Sequence, residues 1–461
     1  MATKIIQLER IQALNDKKVQ AGKYVLYWMQ ASQRAEDNYA LEYAVQKANE
    51  LKKPLLVAFG LMDDYPEANL RHYVFMLEGL KETQASLKRR KIKMVVQRGS
   101  PDEVAAKLGK DAALVVTDRG YLTIQSEWRE QVTEKLSCSL IQIEDNVVVP
   151  VDLVSNKREY AARTIRPKIN KHLMDFLVDL TTTAVDKSSL NLSVESVDLS
   201  DPHNLAKGLK LEQAVPPASQ FFMGGTTQAK TILRTFLDNK FSDYDKNRNQ
   251  PQTDDVSHMS KYLHFGQVSP VYVAQEIRHS SGSQANIESY IEELVVRREL
   301  AMNFTNFTPN YDSYSCLPDW AKKTLEEHKD DAREYIYTRD ELENAQTHDE
   351  YWNAAMNEMR YTGYMHNYMR MYWGKKILEW TNTPQYAFQT ALYLNNKYFL
   401  DGRDANSFTG VAWCFGNHDR AWTERAVFGK IRYMNANGLK RKADPDAYVE
   451  KVKQLIAEVE A

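Results

Sequence analysis

The sequence predicts two domains of different class, an N-terminal α/β domain with a doubly wound parallel sheet and a C-terminal all-α domain. In the first third of the chain, short apolar runs alternate with amphipathic segments of helical period, which is the pattern of a parallel sheet covered by helices. From Thr226 onward nearly every segment has helical periodicity. At 461 residues the chain is also too long for one hydrophobic core. We therefore predict an α/β domain over 1–180, a linker over 181–219 and a helical domain over 220–461.

The predicted strands are short and apolar, and helical segments separate them. In chain order they are YVLYWM (24–29), PLLVAFGL (54–61), KMVVQRG (93–99), ALVVTD (113–118) and SLIQIED (139–145). Ser100, Pro101 and two acidic residues follow the third strand and favour a helix start. No GxGxxG follows the first strand, so the dinucleotide fingerprint of such sheets is missing. The linker is predicted where Ser, Asp and Pro accumulate and periodicity is lost.

The composition is that of a folded protein without membrane or disulfide signals. Hydrophobic residues make up 43% and charged residues 26%, with a net charge of −2, so a nucleic-acid partner would need a local basic patch. Cys138, Cys316 and Cys414 are far apart and form no CxxC, which disfavours disulfides and a structural metal site. The N-terminus lacks the apolar core of a signal peptide, and no run reaches transmembrane length. We expect a cytoplasmic protein that binds no metal and no membrane.

One helical segment, MHNYMRMYWGKKILEW (365–380), carries an unusual combination of side chains. Trp373 and Trp380 are seven residues apart, so they share one helical face. Arg370 and Met371 lie just before the first of them. Apolar residues at this spacing usually pack in a core. The pattern alone therefore leaves open both core packing and a functional role for the two tryptophans.

Two further segments are richer in polar and aromatic residues than a helical core requires. SHMSKYLHFGQVS (257–269) suits either a capped helix start around a buried His or a set of hydroxyls and backbone N–H groups that receives an anion. LNNKYFLDGRDANSFTGVAWCFGNHDRAW (394–422) mixes polar groups with aromatics that are usually buried. His418 and Asp419 are adjacent, and adjacent residues seldom face each other in a helix. No serine or cysteine lies in a nucleophile elbow, which disfavours a hydrolase.

Six segments together resemble those of the class II cyclobutane pyrimidine dimer photolyases, within the photolyase–cryptochrome superfamily. They are YWMQASQRAEDNYAL (27–41), EYAARTIRPKI (159–169), KYLHFGQVS (261–269), RMYWGKKILEW (370–380), LNNKYFLDGRD (394–404) and GKIRYMN (429–435). They occur in the family's order and span nearly the whole chain. The resemblance implies an α/β domain followed by an all-α FAD-binding domain. It also implies light-dependent repair by electron transfer from photoexcited reduced FAD to a flipped-out dimer. The flavin would then lie in the helical domain, which accounts for the missing GxGxxG.

The resemblance further implies which residues hold the flavin. Arg370 and Asp401 would form a charge pair beside the isoalloxazine, where a cation favours the anionic reduced flavin. Asn395 would face the flavin N5, and its amide can donate or accept as the flavin changes protonation. The N-terminal domain of such proteins can also hold an antenna chromophore, 8-hydroxydeazaflavin or a folate, and no motif here chooses between them. The residues expected to bind FAD are Tyr244, Arg248, Ser257, His258, Met259, Ser260, Arg370, Asn395, Asp401 and Asp404.

Other positions are implied in electron transfer, lesion recognition and DNA binding. Trp373, Trp352 and Trp380 match an electron-transfer chain between the protein surface and the flavin. Glu293 matches a carboxylate that hydrogen-bonds the pyrimidine edge, and Arg432 matches a residue that fills the gap left by the extruded dimer. The residues expected around the reaction are Glu293, Asn395, Met371 and Trp413. DNA contacts are expected from Arg297, Arg420, Lys430, Arg432 and Arg441, with further basic groups at Lys157, Arg158, Arg163, Arg166, Lys168, Lys440 and Lys442.

The chain departs from the family pattern at four places. His258 stands where Asn is usual, MNFTNF (302–307) and GYMHN (363–367) differ from the usual segments, and the interval from Trp413 to His418 is one residue shorter. These departures bear on substrate preference and repair rate more than on fold.

Two other interpretations remain beside repair: a cryptochrome-like blue-light photoreceptor without repair activity, and a dark flavoprotein or nucleotide-binding protein that has lost photochemistry. The retained Glu293, Met371, Trp413 and Arg432 favour repair. The resemblance also implies UV-damaged DNA as the partner, a monomer and, in a prokaryote, association with the nucleoid.

Overall fold

A computed structural model describes residues 6–460, and its N-terminal domain is built on one six-stranded sheet. The strands are β1 (Ile11–Ala13), β2 (Tyr24–Trp28), β3 (Leu55–Leu61), β4 (Lys93–Arg98), β5 (Ala112–Asp118) and β6 (Leu140–Ile143). Their order is β1-β6-β5-β2-β3-β4. Strands β2 to β6 are parallel, as predicted, whereas β1 pairs antiparallel to β6. The sheet is therefore mixed, and the prediction missed β1 because this short, mostly exposed strand has no apolar run.

Helices cover both faces of the sheet. α1 (Tyr39–Glu50) and α2 (Leu70–Arg89) lie on one face, where Val25 and Tyr27 of β2 join their core. α3 (Pro101–Gly109) and α4 (Thr123–Lys135) lie on the other face, with Leu26 and Trp28. Because successive side chains of a strand point to opposite faces, a strand buried on both must be apolar throughout. The remaining helices before residue 220 are α5 (Val151–Val154), α6 (Ala162–Phe176) and α7 (Pro202–Lys207).

The rest of the described chain is helical, as predicted. Its helices are α8 (Thr226–Asn239), α9 (Tyr244–Asn247), α10 (Ser260–His264), α11 (Pro270–His279), α12 (Gln284–Ile291), α13 (Arg298–Asn306), α14 (Asp319–Glu327), α15 (Arg339–Glu343), α16 (Glu350–Thr362), α17 (Asn367–Trp380), α18 (Pro384–Tyr398), α19 (Ala405–Cys414), α20 (Ala436–Lys440) and α21 (Pro445–Glu460). A π-helical turn (Glu292–Arg297) joins α12 to α13. The shared core of α16 to α19 contains the tryptophans of segment 365–380.

The segment predicted as a linker lies along the sheet domain. Its backbone follows β4, since the Val197 N–H donates to the Val96 carbonyl oxygen at 2.7 Å. The Ser189 N–H donates to the Lys91 carbonyl oxygen at 3.1 Å. Between residues 181 and 219, all of which the structure describes, α7 is the only helix or strand. The domain bounds themselves stay a prediction.

Buried arginines of the sheet domain connect it to the helical domain. Arg71 on α2 donates to the Tyr398 carbonyl oxygen at 3.0 Å, and Arg34 donates to the Gly266 carbonyl oxygen at 3.1 Å. Gly266 has a φ of +64°, and a Cβ there would lie 1.8 Å from the Ala31 carbonyl oxygen. Only glycine permits this approach. The contact fixes the segment after α10 against the sheet.

No helix between residues 6 and 460 is long and apolar enough to cross a membrane. The three cysteines are free and buried.

Candidate functional site

A cavity of about 370 Å³ lies within the helical domain, bordered by α9, α10, α17, α18 and α19. Glu293, Met371 and Trp373 line it. All ten residues expected to bind FAD line it as well: Tyr244, Arg248, Ser257, His258, Met259, Ser260, Arg370, Asn395, Asp401 and Asp404. Residues from distant parts of the sequence thus converge as the resemblance implies, and their roles toward a cofactor stay a prediction.

Arg370 and Asp401 form a bidentate ion pair in the cavity wall. The two terminal nitrogens of Arg370 donate to the two carboxylate oxygens at 3.0 and 3.1 Å. Burial raises the pKa of Asp401, but the Arg370 charge and its hydrogen bonds outweigh burial, so the pKa is lowered overall. Arg370 also donates to the Met365 carbonyl oxygen at 2.9 Å and lies 3.9 Å over the Phe399 ring. The guanidinium is therefore fixed in place.

A second acidic residue of the wall, Asp404, contacts His264 Nδ1 at 3.2 Å. Asp404 also caps α19, where it accepts from the Asn406 N–H at 2.8 Å. Burial raises the pKa of Asp404, but the His264 contact outweighs it and lowers this pKa to about 2. Asp404 is therefore ionised at neutral pH. The sequence prediction missed His264, although the quoted segment KYLHFGQVS contains it.

Arg248 and Glu293, expected at the flavin phosphates and at the lesion respectively, are paired with each other. Arg248 Nη2 donates to Glu293 Oε1 at 2.5 Å. Glu293 belongs to the π-helical turn between α12 and α13, and such turns are frequent at functional sites. The neighbouring Glu292 instead pairs with Arg166. The two adjacent carboxylates thus face different parts of the molecule.

Asn395 is buried on α18, with 4% of its surface exposed. Its side-chain nitrogen donates to Asn396 Oδ1 at 2.9 Å and to the Ser407 hydroxyl. Ser407 lines the cavity too and was not predicted. Because the side-chain nitrogen of Asn395 already donates to the protein, its side-chain oxygen is the atom that can accept a hydrogen bond from a ligand.

Three polar atoms of cavity-lining residues are buried without a hydrogen-bond partner in the part of the chain that the structure describes. They are His258 Nδ1, Arg298 Nη2 and Trp373 Nε1. Each such group costs on the order of 1–3 kcal/mol, so a ligand that supplies partners is stabilised there. Together with Arg370 and the Ser257 hydroxyl, these groups fit a cofactor rich in hydrogen-bond acceptors, as a flavin dinucleotide is.

His258, which stands in place of the usual Asn, has a φ of +53°, a region that non-glycine residues seldom occupy. Its Nε2 contacts Asp254 at 3.0 Å. Its ring packs on Phe222 and Tyr364, with centroids 5.3 and 4.7 Å away. Burial lowers the pKa of His258. Tyr364 belongs to the departing segment GYMHN, so two of the four departures contact each other.

The three tryptophans form a row that begins at the cavity. Trp373 lines the cavity, and its carbonyl oxygen accepts from Trp352 Nε1 at 3.0 Å. The ring centroids of Trp352 and Trp380 are 5.8 Å apart. Trp380 lines a separate groove at the surface. The row connects the cavity with that groove, and its role in electron transfer stays a prediction.

Trp413, at the end of α19, lies next to the cavity-lining Cys414 and is not itself among the residues that line the cavity. Its ring is contacted by Lys375 at 5.0 Å and by Arg432 at 5.6 Å. Arg432 also lies 4.5 Å over the Trp422 ring. Arg432 therefore contacts two indoles. Trp422 was not predicted, although it ends the polar and aromatic segment 394–422.

Most of the residues expected to contact DNA reach the surface. Arg297 shares the Glu292 carboxylate with Arg166, and both arginines donate to Glu292 Oε1, at 2.9 and 2.7 Å. The exposed members of the predicted set are Arg297, Arg420, Lys430 and Arg441, and Arg432 is partly buried.

Arg158 departs from the predicted basic surface. It is half-buried and donates to the Cys316 carbonyl oxygen at 3.1 Å and to Asn417 Oδ1 at 2.7 Å. Nearby, the carbonyl oxygen of Tyr160 lies 2.7 Å from His418 Nδ1. Arg158 therefore holds the shortened 413–418 loop against the segment before α6, which is a structural role that a charge pattern cannot reveal.

A second cavity, of about 120 Å³, lies at the carboxyl ends of β2 and β3. Phe59, Tyr65 and Trp128 supply aromatic walls, and His264 borders both cavities. The helices that follow the adjacent strands β2 and β5 lie on opposite faces of the sheet, so a topological switch point, where α/β sheets bind ligands, lies between these strands. Trp128, on the helix after β5, brings the cavity wall to this point. No sequence motif predicted this cavity.

Comparison with known proteins identifies the family. The DNA photolyase family profile matches residues 25–186. The deoxyribodipyrimidine photo-lyase of Methanothermobacter thermautotrophicus is 50% identical over 455 residues, covering 98% of this chain and 100% of that one. The chain belongs to the DNA photolyase family. A deoxyribodipyrimidine photo-lyase of Arabidopsis thaliana is 39% identical to this photolyase, covering 94% of this chain and 89% of the relative.

The fold of the photolyase also matches that of solved structures. An archaeal photolyase from Sulfolobus tokodaii, crystallised with two FAD molecules, has a TM-score of 0.70 and covers 93% of this chain and 89% of its own. Its sequence identity is 15%, so this likeness concerns the fold alone. The family and the two-part fold predicted from the sequence are confirmed.

Proposed function

We propose that this photolyase repairs cyclobutane pyrimidine dimers in DNA in a light-dependent reaction with FAD as its cofactor. Reduced FAD, when bound and excited by blue or near-UV light, supplies the electron that splits the cyclobutane ring and that returns after the split. The observation that carries the proposal is the convergence of ten expected flavin-binding residues in one cavity whose wall includes Glu293. The relatives named deoxyribodipyrimidine photo-lyase support it.

The hydroxyl-rich side of the cavity is suited to the cofactor phosphates. The Tyr290 hydroxyl donates to Ser257 Oγ at 2.8 Å, so the proton of Ser257 is free to point at an anion. Ser260 begins α10 and lines the same wall. Arg248 adds a guanidinium, which binds phosphate by charge-assisted hydrogen bonds. These groups would orient the pyrophosphate and thereby the ring.

The Arg370–Asp401 pair and Asn395 would act on the isoalloxazine. A fixed guanidinium in a site shielded from water favours negative charge on a neighbouring ring. Asp401 keeps Arg370 in place, and the bidentate geometry leaves the guanidinium little freedom to turn. The free oxygen of Asn395 would accept a hydrogen bond from a protonated ring nitrogen.

Glu293 would hydrogen-bond the edge of the extruded pyrimidines. Its present partner, Arg248, is itself suited to the cofactor phosphates, so cofactor binding would draw Arg248 away and free the carboxylate. Extruding the dimer costs a few kcal/mol, which apolar contact with Met371 in the cavity wall and with Trp413 just outside that wall would offset. Arg432, in contact with Trp413 and Trp422, would fill the space that the dimer leaves.

Trp373, Trp352 and Trp380 would carry electrons from the surface to the oxidised cofactor. Indole is polarisable and oxidisable, whereas a purely packed row would tolerate phenylalanine. Trp373→Phe should therefore block photoreduction of oxidised, bound cofactor, followed by its absorption spectrum, while repair by chemically reduced protein persists. Unchanged photoreduction in this variant would contradict the proposed route.

Four finer proposals follow from the family resemblance. The six quoted segments favour the class II photolyases. The second cavity is suited to an antenna chromophore, 8-hydroxydeazaflavin or a folate, because its aromatic walls lie at a ligand-binding edge of the sheet. We also propose a monomer. A DNA substrate implies action in the cytoplasm, at the nucleoid if the source is a prokaryote.

The decisive test is repair of an oligonucleotide with one defined thymine dimer by purified, reduced holoprotein, in blue light and in darkness. Restoration of intact thymines only in the light is the expected result. Absence of repair by protein that binds and photoreduces FAD would instead favour the photoreceptor, which the retained lesion-facing residues and the relatives now disfavour.

A further inference from the structure

A groove of about 640 Å³ adjoins the outer end of the tryptophan row, and none of the functions above uses it. It lies between α17 and the segments around residues 332–335, 348–349 and 425–437. Trp380 lines it although only 2% of that residue is exposed. A molecule seated in the groove would therefore contact a buried indole that ends the row from the cavity.

Two arginines of the groove have no ion-pair partner in the described part of the chain. Nε and Nη2 of Arg333 are buried without any hydrogen-bond partner there, while Nη1 donates to the Lys329 and Asp331 carbonyl oxygens. Arg425 is exposed, and its guanidinium lies 5.0 Å from the Tyr433 ring. Unpaired guanidinium groups beside a groove favour an anion, above all a phosphate or carboxylate.

The other charged groups of the groove already have partners. Lys376 pairs with Glu379 at 2.5 Å. Asp349 accepts from the Trp352 N–H at 3.0 Å and from the Tyr372 hydroxyl. Glu334 is an exposed carboxylate, and it interacts with the Tyr335 hydroxyl. The unsatisfied hydrogen-bonding capacity of the groove is therefore cationic.

Aromatic rings line the groove next to Trp380. Tyr335 and His348 stack with centroids 3.7 Å apart and an interplanar angle of 17°. The His348 ring lies 5.2 Å from the Trp380 ring. Tyr335 is 37% exposed. A flat, conjugated ligand would find aromatic surface here, within contact distance of the tryptophan row.

We propose that this groove binds a small, flat, conjugated reductant that carries a phosphate or carboxylate group, and that the reductant restores Trp380 after light-driven oxidation. The proposal rests on the electron-transfer role given above to the tryptophans. One electron passes from the reductant to the Trp380 radical cation, which returns to the neutral indole. The reductant is left oxidised by one electron, and no bond or proton is exchanged. The arginines hold the anionic group, and the rings keep the donor next to Trp380.

The test compares two reductants with the same dihydronicotinamide ring, NADH and the uncharged 1-benzyl-1,4-dihydronicotinamide. Oxidised holoprotein is flashed at a wavelength that neither donor absorbs, and the decay of the tryptophan radical is followed against donor concentration. With NADH the decay rate should saturate. Arg333→Gln combined with Arg425→Gln should raise the half-saturating concentration about a hundredfold, because two charge-assisted contacts, each equivalent to about tenfold, are lost. The uncharged donor should show no saturation and no effect of the variants.

Arg89→Gln is the matched control, since Arg89 is an exposed arginine at the end of α2, outside the groove, and should behave as the wild type. The single Arg425→Gln variant, at an exposed position, should give a smaller shift in the same direction should the double variant not fold. Decay that rises linearly with NADH, at equal slopes in wild type and variants, would overturn the proposal. Repair by dithionite-reduced protein bypasses the groove, so loss of repair there would count against the proposed function alone.

Discussion

The main cavity contains two arginine–carboxylate pairs, and they differ in how far water reaches them. In Arg370–Asp401, the inner pair, the side chains are 21% and 10% exposed. In Arg248–Glu293, the outer pair, they are 21% and 37% exposed. The inner pair is bidentate, whereas in the outer pair a single carboxylate oxygen of Glu293 accepts from Arg248.

This difference determines what each pair can do. A buried charge that loses its partner is strongly destabilising, so the inner pair is a permanent part of the cavity wall. An exposed pair contributes little to stability, so the outer pair can separate when a ligand offers better partners. The inner pair therefore suits fixed electrostatics, and the outer pair suits exchange between cofactor and lesion.

The largest effect should follow from Asp401→Asn. The substitution keeps the shape but leaves the Arg370 charge without a counterion, at a cost of about 3 kcal/mol. We expect loss of most bound FAD and a clearly lower unfolding temperature, measured by flavin content and thermal unfolding.

Glu50→Gln is the control for this change, because it removes an exposed partner from the Lys47–Glu50 pair on α1. Its effect should stay within about 0.5 kcal/mol. Equal, small effects of the two substitutions would show that the inner pair is not the fixed element that its burial indicates.

Glu293→Gln should separate stability from repair. Because the outer pair is partly exposed, the unfolding temperature should barely change. Loss of a charged hydrogen bond to the lesion should slow repair about tenfold to a hundredfold, measured on a dimer-containing oligonucleotide with protein of equal flavin content. Glu288→Gln, at an exposed position one turn earlier, should repair like the wild type. Wild-type repair by Glu293→Gln would remove Glu293 from the lesion site.

Most of the fold could be predicted from the sequence, because the patterns that indicate its strands and helices are local in the chain. The parallel strands are continuous apolar runs, and all seven residues of β3 are buried. β1 escaped prediction because it has only three residues, two of them exposed. The π-helical turn around Glu293 also escaped, since its sequence has ordinary helical periodicity and its extra residue per turn appears only in the backbone geometry.

The residues of the site could be predicted only from the family's motifs. Those motifs named ten of the lining residues, but no pattern in the chain pairs Arg248 with Glu293. Ser407 and His264 were missed because their role depends on side chains that fold next to them. Arg158 was expected at the DNA surface, yet two acceptors turn it inward. The role of each of these side chains depends on partners that are distant in sequence, and the composition of the chain does not predict those partners.

Acid should weaken the other buried carboxylate of the wall, Asp404. Its pKa is lowered to about 2 in the folded protein, below the value near 4 of an unfolded chain. A depressed pKa contributes stability that is present above about pH 4 and lost as the pH falls toward 2, here about 2 kcal/mol. Asp404→Asn should therefore be less stable than the wild type at pH 7, and the difference should shrink between pH 4 and 2 in thermal unfolding of holoprotein. Asp330→Asn, at an exposed position, should show no such convergence. A constant difference across that range would mean that His264 does not hold Asp404 ionised.

The smallest effect should come from the surface proposed to face DNA, where the contrast with the inner pair is greatest. Arg441 is exposed after α20 and has no ion pair within the described chain. Arg441→Gln should leave flavin content and unfolding temperature unchanged, because no buried partner is lost. If Arg441 contacts a phosphate, the slope of log affinity against log salt for damaged duplex DNA should become shallower by about 1. Arg89→Gln removes an equal charge from α2 and should keep the wild-type slope. An unchanged slope in Arg441→Gln would place the DNA path elsewhere, whereas an equal change in both variants would show that the overall charge, and not a contact, sets the affinity.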